Sequence, residues 1–288
     1  MSIDIAAAEQ FIYANARLLE RHRLAVLLEG APVEPVLATL RTYRNPDGGF
    51  GHALEPDVRC PGSQTAATLQ ALEVLDEIGV SDDPMIGDVA AWLSTVSEPD
   101  GGVPTVLPSA NGYPRAPWMV PAKESGFLTF ALAAALWTLG SSDPWLVRAS
   151  EWCWAELERP EPIGGYTLKF AADFLDAVPD PPRAAAAVER LRGGLSPDGS
   201  VPVPEGVDGE TISPLDISPR PGGVCRTLFT DQQIDAELDR LEEGQLDDGG
   251  WTVDFLHWSP GQSVEWRGIV TLGALATLHT HGRITLPR

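Results

Sequence analysis

Reactive side chains are densest between Gly51 and Gln64, where His52, Glu55, Asp57, Arg59 and Cys60 fall within one short stretch. A carboxylic acid set in an apolar surround keeps its proton to higher pH, which suits it to donate that proton to an alkene or a leaving group. Asp57 is the first candidate for such a general acid and Glu55 the second, with His52 placed to orient or reprotonate either. The plainer alternative has Asp57 paired with Arg59 and capping a helix at Gln64. His52, Asp57 and Cys60 match no established metal-ligand spacing, so no metal and no cofactor are expected.

Two further stretches carry chemistry. Asp254, His257, Trp258, Glu265 and Trp266 offer an acid–base neighbour pair, a second carboxylate and two indole faces that can stabilise positive charge. Tyr113, Arg115 and Trp118 add an aromatic pair and a guanidinium, and Arg115 with Lys123 can hold a carboxylate or phosphate. These residues are the expected substrate contacts.

The elements that must position them are marked by a repeated turn. Asn45-Pro46-Asp47-Gly48-Gly49-Phe50 is echoed at Pro99-Asp100-Gly101-Gly102-Val103, at Pro197-Asp198-Gly199-Ser200-Val201 and at Asp247-Asp248-Gly249-Gly250-Trp251. The aspartates are 53 residues apart in the first two full copies and 50 in the last two, and a degenerate copy at Ile163-Gly164-Gly165-Tyr166 stands in the gap between. In each full copy a leucine precedes the aspartate by seven residues: Leu40, Leu93, Leu191 and Leu241. Proline stops a helix, and Asp-Gly then turns the chain.

Between the marks the periodicity is helical. Segments at 32–44, 84–96, 143–158, 183–194 and 230–243 have one apolar face. Segments starting near Ile5, Gln64, Ser125, Thr167, Pro214 and Ser263 are apolar or small nearly all round, so they must be enclosed. Alternation of the two kinds predicts an all-α, α6/α6 toroid barrel, with inner and outer helix rings in one domain over 1–288. The long connections at 45–63, 97–124, 195–213 and 244–262 all lead from an outer to an inner helix, so they are expected at one mouth of the barrel.

Gln245-Leu246-Asp247-Asp248-Gly249-Gly250-Trp251 resembles the glutamine–tryptophan repeat of squalene–hopene cyclases, and the other copies resemble repeats of protein prenyltransferase β subunits. This resemblance to the terpenoid cyclase and prenyltransferase superfamily implies the same toroid and an enzyme acting on an apolar polyene or prenylated small molecule. The chain lacks the Asp-x-Asp-Asp acid motif of the hopene-type cyclases. Asp57 and Cys60 are also three apart, where the prenyltransferase zinc pattern has two. A second reading places a carbohydrate-active hydrolase or lyase on the same barrel, with Glu55 or Asp57 opposite Asp254 or Glu265. A third is a non-catalytic binding module.

Composition narrows the partners. Among 288 residues, 41 Asp and Glu against 20 Lys and Arg give a net charge of −21, which repels nucleic-acid phosphates and anionic lipid. A small apolar molecule is the expected partner, with no nucleic acid and no membrane span. Three widely spaced cysteines and an N-terminus without a signal pattern point to a cytoplasmic protein.

Overall fold

A computed structural model describes residues 3–204 and 206–286. Among the described residues, twelve α-helices alternate between two rings. The outer ring takes α1 (Ile5–Asn15), α3 (Glu34–Leu40), α5 (Pro84–Val96), α7 (Pro144–Leu157), α9 (Pro181–Leu191) and α11 (Asp231–Glu243). The inner ring takes α2 (Leu18–Glu29), α4 (Thr65–Glu77), α6 (Leu128–Thr138), α8 (Gly165–Ala177), α10 (Pro214–Ile217) and α12 (Pro260–Thr280). Helix α6 packs on α4 and α8, α8 on α10, and α12 returns to pack on α2, which joins the last inner helix to the first. The structure is the all-α toroid that the alternating periodicity predicts.

Burial follows the pattern. Helix α4 is buried continuously from Thr65 to Leu72, whereas α11 buries only Ile234 and Leu238. One assignment changes: the helix starting at Ile5, expected inside, is an outer helix burying only Ala8, Phe11 and Ile12. Its inner partner is α2, which periodicity misses because it buries charge. Glu20 is fully buried there, held by Arg17 at 2.7 Å and Arg23 at 3.6 Å. The inner segment near Pro214 shrinks to one turn, capped by Ser213 and Asp216, which bond each other's backbone N–H reciprocally. Two short strands, β1 (Val201–Pro202) and β2 (Thr211–Ile212), pair antiparallel within the loop before it.

The turn marks share one geometry. Asp47, Asp100, Asp198 and Asp248 each accept the backbone N–H two residues on, at 3.0, 3.0, 3.0 and 3.2 Å. The intervening glycine must hold positive φ, and a Cβ on Gly48 would lie 2.7 Å from the Asp88 carbonyl. The next apolar residue then docks on the following inner helix. Phe50, Val103 and Trp251 donate their backbone N–H to the buried hydroxyls of Thr68, Thr129 and Thr271 at 3.1, 2.9 and 3.0 Å. Among the described residues no helix is long and apolar enough to cross a membrane.

Candidate functional site

The loop after the first turn mark is forced into an unusual path. A Cβ on Gly51 would meet the Pro61 carbonyl at 2.4 Å, so glycine is required there. His52 and Ala53 follow with φ of 55° and 58°, a left-handed conformation costing about 1–3 kcal/mol for each non-glycine residue. Arg17 supports it by donating Nη1 to the carbonyls of Ala53 and Leu54 at 3.2 and 2.7 Å. The same guanidinium grips Glu20 through Nε and Nη2, which fixes its orientation.

The chain then buries Glu55 and Asp57 side by side. Glu55 Oε2 accepts the Asp57 backbone N–H at 3.0 Å. The following residues pair with the second long loop: Ala116 N–H donates to the Asp57 carbonyl at 2.8 Å, and Arg59 N–H to the Pro114 carbonyl at 2.9 Å.

The last long loop completes the surround. Ser259 caps α12 by accepting the Gln262 N–H at 3.2 Å, which sets the first turn of that helix against Asp57. Trp258 Nε1 donates to Asp57 Oδ1 at 2.8 Å. Gln262 and Trp266 also stand near this carboxylate, but their Nε2 and Nε1 are buried without a hydrogen-bond partner, so Trp258 makes the hydrogen bond to it. Phe255 lies edge-on to Trp266 at 5.5 Å, and Trp118 edge-on to Phe255 at 5.9 Å.

Burial pushes the Asp57 carboxyl up, and the N–H groups of Trp258, Gln262 and Trp266 pull it part of the way back. Glu55 is raised well above the ordinary carboxylate range, by burial first and by the Asp57 charge second. The arrangement can hold a proton in an aromatic surround and accept the negative charge left when the proton departs.

Of the residues singled out in the sequence, Asp57, Glu55, Trp258 and Trp266 come together. Glu265 lies beside them and is bound by Arg59 at 2.5 Å. That ion pair replaces the expected Asp57–Arg59 pair, and Gln64 starts α4 without any side-chain cap. It also occupies the carboxylate that a paired-acid hydrolase would need. His52 is exposed and bonds Asn45 Oδ1 at 3.1 Å, because its left-handed backbone turns it away from both acids. Arg115 donates Nη1 to the carbonyls of Ala110 and Tyr113 at 3.3 and 3.2 Å. His257 bonds Ser263 Oγ at 2.8 Å rather than Asp254, which is exposed. Tyr113 and Trp118 are half exposed. The Cys60 thiol faces the Ser109 carbonyl, and no group of metal-ligating side chains occurs among the described residues.

Sequence reasoning missed Arg17 and Gln262, which carry no motif. It also missed Glu73, Lys169 and Asp173 on α4 and α8, for which a signal existed: isolated charges on helices otherwise apolar are paired or functional. Two surface depressions of about 370 and 280 Å³, beside Pro197 and Thr230 and beside Arg159 and Thr167, lie away from Asp57.

No protein-family model matches the chain, and no curated protein matches its sequence. Solved structures do share its fold. A protein from Actinoplanes is similar with a TM-score of 0.57 at 18% identity, over 97% of this chain and 100% of that one. The type II terpene cyclase MstE from Scytonema, in complex with its substrate geranylgeranyl dihydroxybenzoate, is similar with a TM-score of 0.55 at 15% identity, over 96% of this chain and 97% of that one. In complex with its product merosterolic acid A, MstE gives 0.55 at 16% identity, over 95% of each chain. At such identity the likeness is one of fold, and chemistry must be argued from the site.

Proposed function

We propose that the protein is a terpene cyclase-like enzyme that protonates an alkene of an apolar, prenylated small molecule, with Asp57 as the proton donor. The observation that carries this reading is the buried Asp57 carboxyl, hydrogen-bonded by Trp258 Nε1 with the N–H groups of Gln262 and Trp266 nearby. In the step, the Asp57 O–H bond breaks and a C–H bond forms at one alkene carbon, leaving a cation at the other. The Trp258 N–H stabilises the carboxylate that results, while nearby ring faces stabilise the cation. Ring closure and loss of a proton then give a product isomeric with the substrate. Glu55, whose burial favours the protonated form, stands beside the donor and is placed to return a proton to it.

In this reading the loops at 45–63, 97–124, 195–213 and 244–262 frame the mouth through which substrate enters. Tyr113 and Trp118 form its rim. The three cysteines are free and buried, which fits a reducing cytoplasmic setting.

Incubation with geranylgeranyl-substituted phenols, followed by mass spectrometry for products of unchanged mass and altered retention, tests the reading. Asp57→Asn keeps an acceptor for Trp258 and removes the acid, and it is expected to lower turnover by about 10²-fold or more. Equal turnover by that variant would remove Asp57 from the role. Binding without turnover in the wild type would leave a binding module.

A further inference from the structure

Helix α4 carries Gln70, Glu73 and Glu77 in i, i+3, i+7 register, so the three share one face. Opposite, α8 presents Lys169 and Asp173, whose Nζ and Oδ2 are 3.0 Å apart. Helix α6 stands between α4 and α8 and packs on both, so side chains of α4 and α8 meet only across the interior of the ring. Glu73 feels Lys169 and Asp173 from α8 and Arg23 from α2, which places it in that interior. Its side chain is exposed to water although the inner helices stand around it.

Most of these charges are matched. Arg23 clasps Glu77, and Lys169 is held by Asp173 with its Nζ 4.6 Å from the centre of the Phe170 ring. Two acceptors are left over. Gln70 is 7% exposed, and its Oε1 is buried without a hydrogen-bond partner. Glu73 has no hydrogen bond or ion pair among the described residues. The buried Gln70 acceptor without a donor is unfavourable, the Glu73 carboxylate one turn away stands unpaired in water, and an acidic enclosure concentrates cations and excludes anions. Closer to the N-terminal ends of α6 and α8, the rings of Phe127 and Phe170 stack at 5.6 Å and offer an apolar surface.

We propose that Gln70 and Glu73 seat the ammonium group of a lipophilic amine, with its hydrocarbon chain lying along Phe127 and Phe170. Resting on the cyclase reading, this makes the substrate a prenylated amine and excludes a carboxylate or diphosphate at the polar end. An ammonium supplies several N–H donors together with a positive charge that can contact the unpaired Glu73 carboxylate directly, whereas a hydroxyl supplies one donor and no charge.

Calorimetric titration of the full chain at pH 8 with farnesylamine, farnesol and farnesoic acid tests the assignment. The amine is expected to bind about tenfold or more tightly than the alcohol, and the acid more weakly than either. Glu73→Gln is expected to cut amine affinity about tenfold while leaving alcohol affinity within about twofold. Gln70→Leu, which removes the orphaned acceptor, serves as a second variant and should weaken the amine selectively while raising the melting temperature. The pH dependence of amine binding reads Glu73 against the groups facing it: Lys169, Asp173, Arg23 and Glu77.

No measurable amine binding, equal binding of the three ligands, preference for the acid, or amine affinity unmoved by both variants would overturn the proposal. The two readings separate cleanly. Amine preference without turnover of any prenylated amine keeps this seat and removes the cyclase assignment, whereas cyclisation of a prenylated carboxylate does the reverse.

Discussion

Trp258 and Asp57 lie 201 residues apart in the chain, and the indole Nε1 donates to the carboxylate at 2.8 Å. Their meeting depends on the joining of the last inner helix to the first, since Trp258 leads into α12 and α12 reaches the first part of the chain by packing on α2. The Arg59–Glu265 ion pair joins the same two regions. The carboxyl that carries the proposed chemistry is therefore assembled by the last contact of the toroid.

Trp258→Phe keeps the ring and deletes the N–H. A hydrogen bond to the ionised form lowers a carboxyl's pKa, so its loss raises Asp57 further. In a turnover assay, the limb that falls with rising pH is expected to move to higher pH in the variant. The plateau is expected to fall by about tenfold, because a weaker acid with one fewer donor protonates an alkene more slowly. An unmoved limb would mean that Asp57 does not set it.

The Glu55 carboxyl predicts a pH effect on stability. Its folded pKa lies above its unfolded value, because burial and Asp57 penalise the charge. Between those two values the folded state binds more protons, so this group's stabilising contribution is present at low pH and is lost as pH rises from about 4.3 upward. Glu55→Gln keeps an oxygen for the Asp57 N–H and removes the charge. The variant is expected to melt above the wild type at pH 8, with the gap closing toward pH 4. Calorimetric scans across that range check the sign, and a gap independent of pH would contradict it.

The turn marks and five of the six outer helices were legible because their signals are local: a proline, an Asp-Gly pair and one apolar stripe per helix. Helix α2 was not, since Glu20 and Arg23 occupy buried positions and satisfy each other only in the folded ring. The types of Asp57, Trp258 and Trp266 were legible as chemistry, but their proximity was not, because it depends on how the chain ends meet. His52 misled because its side-chain type is visible in sequence while its left-handed backbone is not. Gln262 gave no signal, as a glutamine in a helical first turn is ordinary.

Arg17 bridges the buried Glu20 and the strained carbonyls of Ala53 and Leu54. Arg17→Met leaves a buried carboxylate with Arg23 alone and removes the support of the left-handed pair. A loss of about 3–5 kcal/mol in unfolding free energy is expected, as for a broken buried ion pair. Amide exchange should rise first at His52 to Leu54. A variant of wild-type stability with unchanged exchange there would show that the loop holds its path unaided.

The three threonines beneath the turn marks test whether equivalent geometry means equivalent energy. Thr68, Thr129 and Thr271 each accept one backbone N–H from the turn above, and Thr271 also donates to the Arg267 carbonyl at 2.6 Å. Valine matches threonine in shape but leaves that buried N–H unpaired, a cost of about 1–3 kcal/mol. Each Thr→Val change is therefore expected to lower unfolding free energy by a similar amount in urea titrations. The sites stand on different inner helices, so a triple variant should approach the sum of the single losses. A loss confined to Thr271 would show instead that the Trp251 turn, which lies nearest the junction of the chain's two ends, carries that junction by itself.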